Sequence, residues 1–136
     1  MALSATARSA QDAADSIGCP LGAIVKSLVF LVEGKPVMAL VAGDRRCDTD
    51  ALVSALARAG TVARAGAEAV RAATGFAIGG VAPLGHPAPL PTAIDASLGR
   101  FPRIFAAAGH PHCVFPTTLR ELRHLTGGSV VADLGI

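Results

Sequence analysis

Tryptophan and tyrosine are absent from the 136 residues, and phenylalanine occurs only five times. The chain therefore has no aromatic platform of the kind that single-strand binders use to stack bases. Its core must be built from Val, Leu, Ile and Ala. Cysteine is sparse: Cys19, Cys47 and Cys113 are odd in number, widely spaced and without a C-x-x-C pair. That pattern excludes a disulfide framework and points to free thiols in a reducing compartment. Charged residues make up only 16% of the chain and the net charge is +2, so no strongly basic face announces a nucleic acid. The first residues lack a basic start followed by an apolar segment, so no signal peptide is expected. The stretch from Ile24 to Ala42 is apolar but interrupted by Lys26, Glu33, Lys35 and Pro36, which excludes a membrane span. A cytoplasmic location is the default expectation.

Hydrophobic residues account for 51% of the chain, enough to bury a sizeable core within one domain spanning residues 1–136. Ala7, Ala10, Ala14 and Ile17 recur at helical spacing, with Thr6 or Ser9 as a cap and Gly18 as a stop. Ile24 to Val32 and Val37 to Val41 are strand-like runs around the turn residues Glu33-Gly34-Lys35-Pro36, which predicts a hairpin. Asp48 and Asp50 can cap a helix carrying Leu52, Ala55, Leu56 and Ala59, with Gly60 as its end. A short strand at 61–64 and a short helix at 68–73 follow. Residues 74–91 then form a loop with four glycines and four prolines in eighteen residues, and such a structured loop is more often functional than accidental. Strands are expected at 92–94, 103–107 and 112–115, with a helical turn at 95–98. Thr118 and Glu121 make a capping box for a helix bearing Leu119, Leu122 and Leu125 and ended by Gly127, before a last strand at Val130 and Val131. Helices and strands mix without strict alternation, which indicates a mixed α/β (α+β) domain.

Three features stand out chemically. Lys26 shares a strand face with Ile24, Leu28 and Phe30, where an ammonium must reach water, shift its pKa or find an anion. It is either an edge residue extending to solvent or a cation held at a pocket mouth for a phosphate. Gly79-Gly80-Val81-Ala82-Pro83 is a G-x-x-x-P pattern in which adjacent glycines allow close backbone approach to a ligand. It is also compatible with an ordinary tight turn. His110 and His112 flank Pro111 and precede Cys113, a spacing open to zinc or to a single positioning histidine, and the latter is favoured for want of further ligands at metal spacing. Ser27 lies in no nucleophile elbow, and there is no phosphate-binding or dinucleotide fingerprint. No cofactor is expected.

In order along the chain, Ala13–Cys19, Ile24–Phe30, Val41–Arg46, Thr74–His86, Ile94-Asp95, Ala108–His110 and Leu119–Gly128 resemble the YbaK/prolyl-tRNA-synthetase-associated editing domains. The resemblance covers nearly the whole chain, and its specificity lies in the ordered set. It implies a curved, largely antiparallel, barrel-like sheet with flanking helices, and hydrolysis of the ester joining a mischarged amino acid to the 3′-terminal adenosine of tRNA. On this resemblance Lys26, Gly79, Gly80 and His110 are the catalytic set, and Ser27, Val81, Ala82 and Pro83 help hold the substrate, with no metal. Lys26 would meet the adenosine phosphate, the G-x-x-x-P loop would surround the ester and place the water, and His110 would shape the aminoacyl pocket. The cysteine-editing branch carries Ser and Asp near the positions here occupied by Ala107 and Val114, which turns the expectation away from cysteine. Alanine on tRNA(Pro) is the first expectation, with mischarged tRNA and a synthetase as partners. The matched region starts close to Met1, so a family N-terminal segment is expected to be lacking. The rival expectations are a non-catalytic RNA-binding or synthetase-associated adaptor of the same fold, and a metal-binding regulator using His110, His112 and Cys113.

Overall fold

The computed structural model describes residues 10–76, 81–83, 85–86, 90–110 (backbone only at 110) and 113–136. The alanine-rich start forms α1 (Ala10–Ile17), which buries Ala13 and Ala14 and stops at Gly18, whose positive φ of 82° lets its N–H and that of Cys19 bond back to the Ala14 carbonyl. The proposed caps Thr6 and Ser9 lie outside the described residues. A single 3-10 turn at Leu21–Ala23 leads into β1 (Val25–Val32), which pairs antiparallel with β2 (Lys35–Ala42). Their two-residue connection, Glu33-Gly34, has positive φ at both positions, the type I′ geometry that matches strand twist. Glu33 tolerates this conformation while its carboxylate accepts from the Thr61 N–H at 2.6 Å and its own N–H donates to the Thr61 carbonyl at 3.0 Å.

Helix α2 (Thr49–Ala55) begins on Asp48, whose carboxylate accepts from the N–H groups of Asp50 and Ala51. It ends five residues before Gly60. Ala57 takes a φ of 53°, and bonds from Ala57 N to Ser54 O and from Arg58 N to Val53 O close a Schellman motif in which alanine occupies the usual glycine position. The chain continues through β3 (Val62–Arg64), α3 (Ala67–Thr74), β4 (Thr92–Asp95), a 3-10 segment (Ala96–Arg100), β5 (Ile104–His110), β6 (Cys113–Thr117), α4 (Leu119–Thr126) and β7 (Ser129–Val131). Thr118 caps α4 as expected, its Oγ1 accepting from Glu121 N at 3.1 Å, while the Glu121 carboxylate accepts from the Thr118 hydroxyl at 3.4 Å rather than from its backbone N–H.

The main sheet has the order β3-β1-β2-β4-β7, and β5 and β6 make a separate antiparallel pair. The two β1 pairings and the β5–β6 pairing are antiparallel, whereas β2–β4 and β4–β7 are parallel. The fold is thus mixed α/β with a mostly antiparallel set of pairings, but the expected barrel-like closure does not occur. Closure needs every edge to find a partner. Here β3 covers only Phe30–Val32 of β1, and β7 forms the opposite edge.

Strand β2 is buried on both faces, which explains its uninterrupted apolar run. Met38, Leu40 and Ala42 join Val25, Val29, Ile94, Ile104, Val70 of α3 and Leu122 of α4 in one cluster. Val37, Ala39 and Val41 join Phe30, Leu52 of α2 and Leu134 in another. A third, smaller cluster sets Ala13 and Ala14 against Ile24, Phe105 and Val114. Among the described residues no helix is long and apolar enough to cross a membrane.

Candidate active site

Because β3 stops at the last three residues of β1, the first half of β1 is flanked instead by β5, through a parallel bridge between Ile24 and Phe105. Lys26 lies two residues beyond Ile24 and so shares its face with Leu28, Phe30 and the cross-strand Val41, whose cluster packs against Leu52 of α2. Ala107, two residues beyond Phe105, follows the same alternation and is paired with Val114 across β5–β6. Lys26, Ala107 and Val114 therefore occupy one side of the junction between the main sheet and the hairpin.

Lys26 is half-buried, and its ammonium donates to the Arg45 carbonyl in the turn after β2. Among the described residues no carboxylate forms an ion pair with it. Burial, followed by the positive charge of Arg64, pushes its pKa below the usual lysine range, against the opposing pull of Asp44, Asp95 and Cys47. Arg64 itself lies over the Phe30 ring, 5.7 Å from its centroid. The turn that offers the carbonyl is clamped. Arg100 reaches Asp44 through two hydrogen bonds, at 2.8 and 3.1 Å, donates from Nε to the Ser97 carbonyl at 2.7 Å, and stacks 4.9 Å from the Phe101 centroid. The Arg100 guanidinium holds the Asp44 carboxyl below its ordinary range. The carboxyl-terminal residues secure the next stretch, where Arg46 exchanges two backbone bonds with Ile136 and the Asp48 N–H donates to Leu134.

Asp95 is fully buried but structural in its contacts: its carboxylate accepts from Ala42 N at 3.1 Å and Ser97 N at 2.9 Å. A Cβ at Gly135 would come within 2.2 Å of that carboxylate, so the glycine is required there. Cys47 faces the same region, but burial, then Asp48 and Asp95, push its thiol up to about 11. A thiol so rarely ionised at neutral pH is a poor nucleophile.

Ser27 points to the opposite face from Lys26, and its buried hydroxyl has no hydrogen-bond partner among the described residues. Val81 belongs to the cluster on that second face, and Ala82 and Pro83 are buried. The structure thus brings Ser27 and Val81 to one side of the sheet and Lys26 to the other. Gly79, Gly80 and His112 lie outside the described residues. So does the side chain of His110, whose backbone ends β5. The zinc expectation at His110, His112 and Cys113 rests on those side chains, and among the described residues no cluster of three or more His, Cys, Asp or Glu is present.

Two residues absent from the sequence-derived set, His86 and Phe76, brace the described part of the loop. The His86 Nε2 donates to the Ala82 carbonyl at 2.8 Å, and its ring meets Phe76 edge-on at 6.1 Å between centroids. Phe76 also abuts the hairpin, since a Cβ on Gly109 (φ 92°) would sit 3.0 Å from its ring. Thr74 Oγ1 accepts from Phe76 N and donates to Val70 O, tying the ring to the end of α3. The signal for this brace was present as Thr-Gly-Phe and His86 in the resembling segment, but only the fold shows that one ring serves loop and hairpin together.

The model of the aminoacyl-tRNA editing domain matches residues 4–125. The protein YwhH of Bacillus subtilis, which is uncharacterised, is 34% identical over 126 residues, covering 91% of this chain and 78% of that protein. A proline–tRNA ligase of Oleidesulfovibrio alaskensis is 36% identical over 75 residues, which are 55% of this chain but 13% of the ligase. A crystal structure described as a candidate trans-editing enzyme for prolyl tRNA synthetase superimposes with a TM-score of 0.91 at 43% identity, covering all of this chain and 85% of that one. With a family match over most of its length and a fold shared at this level, the chain belongs to the aminoacyl-tRNA editing domain family.

Proposed function

We propose that this chain is a deacylase acting in trans, hydrolysing the ester between a small, wrongly attached amino acid and the 3′-terminal adenosine of tRNA. The observation that carries the reading is Lys26: a half-buried cation on an apolar strand face, held by a neutral carbonyl rather than a carboxylate. A single carbonyl takes one of the three ammonium donors and carries no charge to offset the cation, which suits a phosphate arriving with the substrate.

In the reaction a water oxygen adds to the ester carbonyl carbon, the bond from that carbon to the ribose oxygen breaks, and the ribose oxygen takes up a proton. The products are the free amino acid and tRNA with its terminal hydroxyl restored. The roles assigned to Gly79, Gly80, Val81, Ala82 and Pro83 are to surround the ester and place the water through backbone groups, with Lys26 on the adenosine phosphate and His110 orienting the aminoacyl end. Ser27 is assigned to substrate holding on the Val81 side of the sheet, where its hydroxyl has no partner among the described residues. The high pKa of Cys47 supports a mechanism without a protein nucleophile.

Ala107 and Val114, paired across the hairpin, carry apolar side chains where the cysteine-editing branch has Ser and Asp, which favours a small apolar side chain, alanine first, over an amino acid needing a hydrogen-bonded pocket. The relatives associated with prolyl-tRNA synthetase and proline–tRNA ligase support tRNA(Pro) as the carrier and a synthetase as a partner. Incubation with a panel of mischarged tRNAs, with Lys26→Ala alongside, tests the reading. Ester loss on Ala-tRNA(Pro), abolished in Lys26→Ala, is expected. Turnover of no substrate, or a fully active Lys26→Ala, refutes it in favour of a non-catalytic RNA-binding module.

A further inference from the structure

Helix α4 places Arg120, Arg123 and His124 on one exposed helical face, at spacings of three and four residues. With Gly127, Gly128, Ser129 and Val130 they line an open groove of about 920 Å³ that contains no carboxylate, while Glu121 is engaged at the N-cap with Thr118. Ordinary helix electrostatics accounts for only part of this. Arg123 and His124 lie in the last turn, where cations complement the helix dipole. Arg120 lies in the first turn, where the dipole disfavours it, and its neighbours at i+3 and i+4 are both basic. Among the described residues none of the three is in an ion pair. An external anion would relieve like charges concentrated against local preference.

The groove is far larger than one phosphate group, and the backbone donors that follow α4 are already used: Gly127 N bonds to Arg123 O and Gly128 N to Thr126 Oγ1. Recognition there falls to a row of side-chain cations, which suits a repeating phosphate backbone. The groove borders the sheet face that carries Ser27 and Val81, since Leu122 of α4 packs in the same cluster as Leu40, Ile94 and Val81. Ser27 pairs with Leu40, Leu40 with Ile94 and Ile94 with Val130, so Val130 stands three strand spacings, roughly 14 Å, from β1.

We propose that the α4–β7 groove docks the phosphate backbone of the tRNA acceptor duplex while the 3′ end extends toward β1; this rests on the deacylase reading for the identity of the RNA. The test measures binding of uncharged tRNA(Pro) transcript and of a single-stranded CCA-ended oligonucleotide to wild type, Arg120→Ala/Arg123→Ala and Arg120→Lys/Arg123→Lys across a salt series. The alanine pair is expected to weaken transcript binding about tenfold at 0.1 M salt and to lower the salt slope by roughly 1.5, with no change for the oligonucleotide. The lysine pair should restore most of both. An unchanged transcript affinity and slope, or equal loss on the oligonucleotide, overturns the proposal and leaves the cations for an acidic protein surface. Because uncharged RNA is the probe, a fully active Lys26→Ala sinks the catalytic reading without touching this one, and intact groove variants do the reverse.

Discussion

If the Arg45 carbonyl positions Lys26, then the Asp44–Arg100 clamp on that turn should matter to catalysis without touching substrate. The perturbations are Asp44→Asn, Arg100→Gln and the double variant. Each side chain is about one-third exposed, so the Coulomb part is screened, but two hydrogen bonds at 2.8 and 3.1 Å, the Ser97 contact and the Phe101 stack fix one geometry. Exposed pairs are worth about 0.2–1 kcal/mol, and the ordered geometry places this one near the upper end. If all of it holds the turn, kcat/KM falls at most roughly fivefold in either single variant. The double variant should lose little more, because removing one partner already frees the turn.

The pH profile separates positioning from general destabilisation. Asp44 raises the Lys26 pKa and Arg64 lowers it. Loss of Asp44 therefore moves the alkaline limb of kcat/KM to lower pH, and Arg64→Gln moves it to higher pH. Deacylation rates over pH 6–10 (a range chosen to bracket the limb) would register both. Strictly additive losses in the double variant, a shift of the two limbs in the same direction, or a hundredfold loss in Asp44→Asn would refute the clamp as an indirect device. Stability is a separate matter with its own sign. The folded Asp44 pKa is depressed, so its contribution is present above the ordinary aspartate range and disappears only as pH falls through the lower, folded value.

Two further predictions concern the framework. Ala57 holds the left-handed position of the α2 cap at a φ of 53°, so Ala57→Gly should stabilise the fold by about 0.5–1 kcal/mol after the entropy cost of glycine, raising Tm by a few degrees in calorimetry. An unchanged or lowered Tm would show that the cap is not strained. Cys47, with its thiol pushed up to about 11, should react sluggishly with iodoacetamide at pH 8 and accelerate well above pH 10, as followed by mass spectrometry; rapid labelling at neutral pH would contradict its burial beside Asp48 and Asp95.

Much of this architecture was legible because local signals agreed with the global fold. The Glu33-Gly34 turn, the Asp48 cap, the Thr118 cap and the Gly18 stop are each written in residues whose chemistry acts over two to five positions. The end of α2 was not legible, because an alanine does the work usually marked by glycine and the helix stops at Ala55 while apolar spacing continues to Ala59. Openness of the sheet was hidden for a different reason: it depends on how few residues β3 and β7 contribute to pairing, and pairing partners are distant in sequence.

The same openness explains the position of Lys26. Were β3 to run the full length of β1, residues 25–28 would sit between two strands like those of β2, whose described neighbours leave no room for an ammonium. Because β3 stops early and β5 arrives through only one bridge at Ile24, a cation on the apolar face is left half-buried at a seam, close enough to the interior for burial to depress its pKa and open enough for a ligand to reach it. The lysine that looked misplaced on a strand pattern is out of place only for a closed sheet. At the junction of an open sheet and a hairpin it stands where substrate access and desolvation are both available, and replacing Ile24–Phe105 contact with a continuous ladder would remove the site along with the gap.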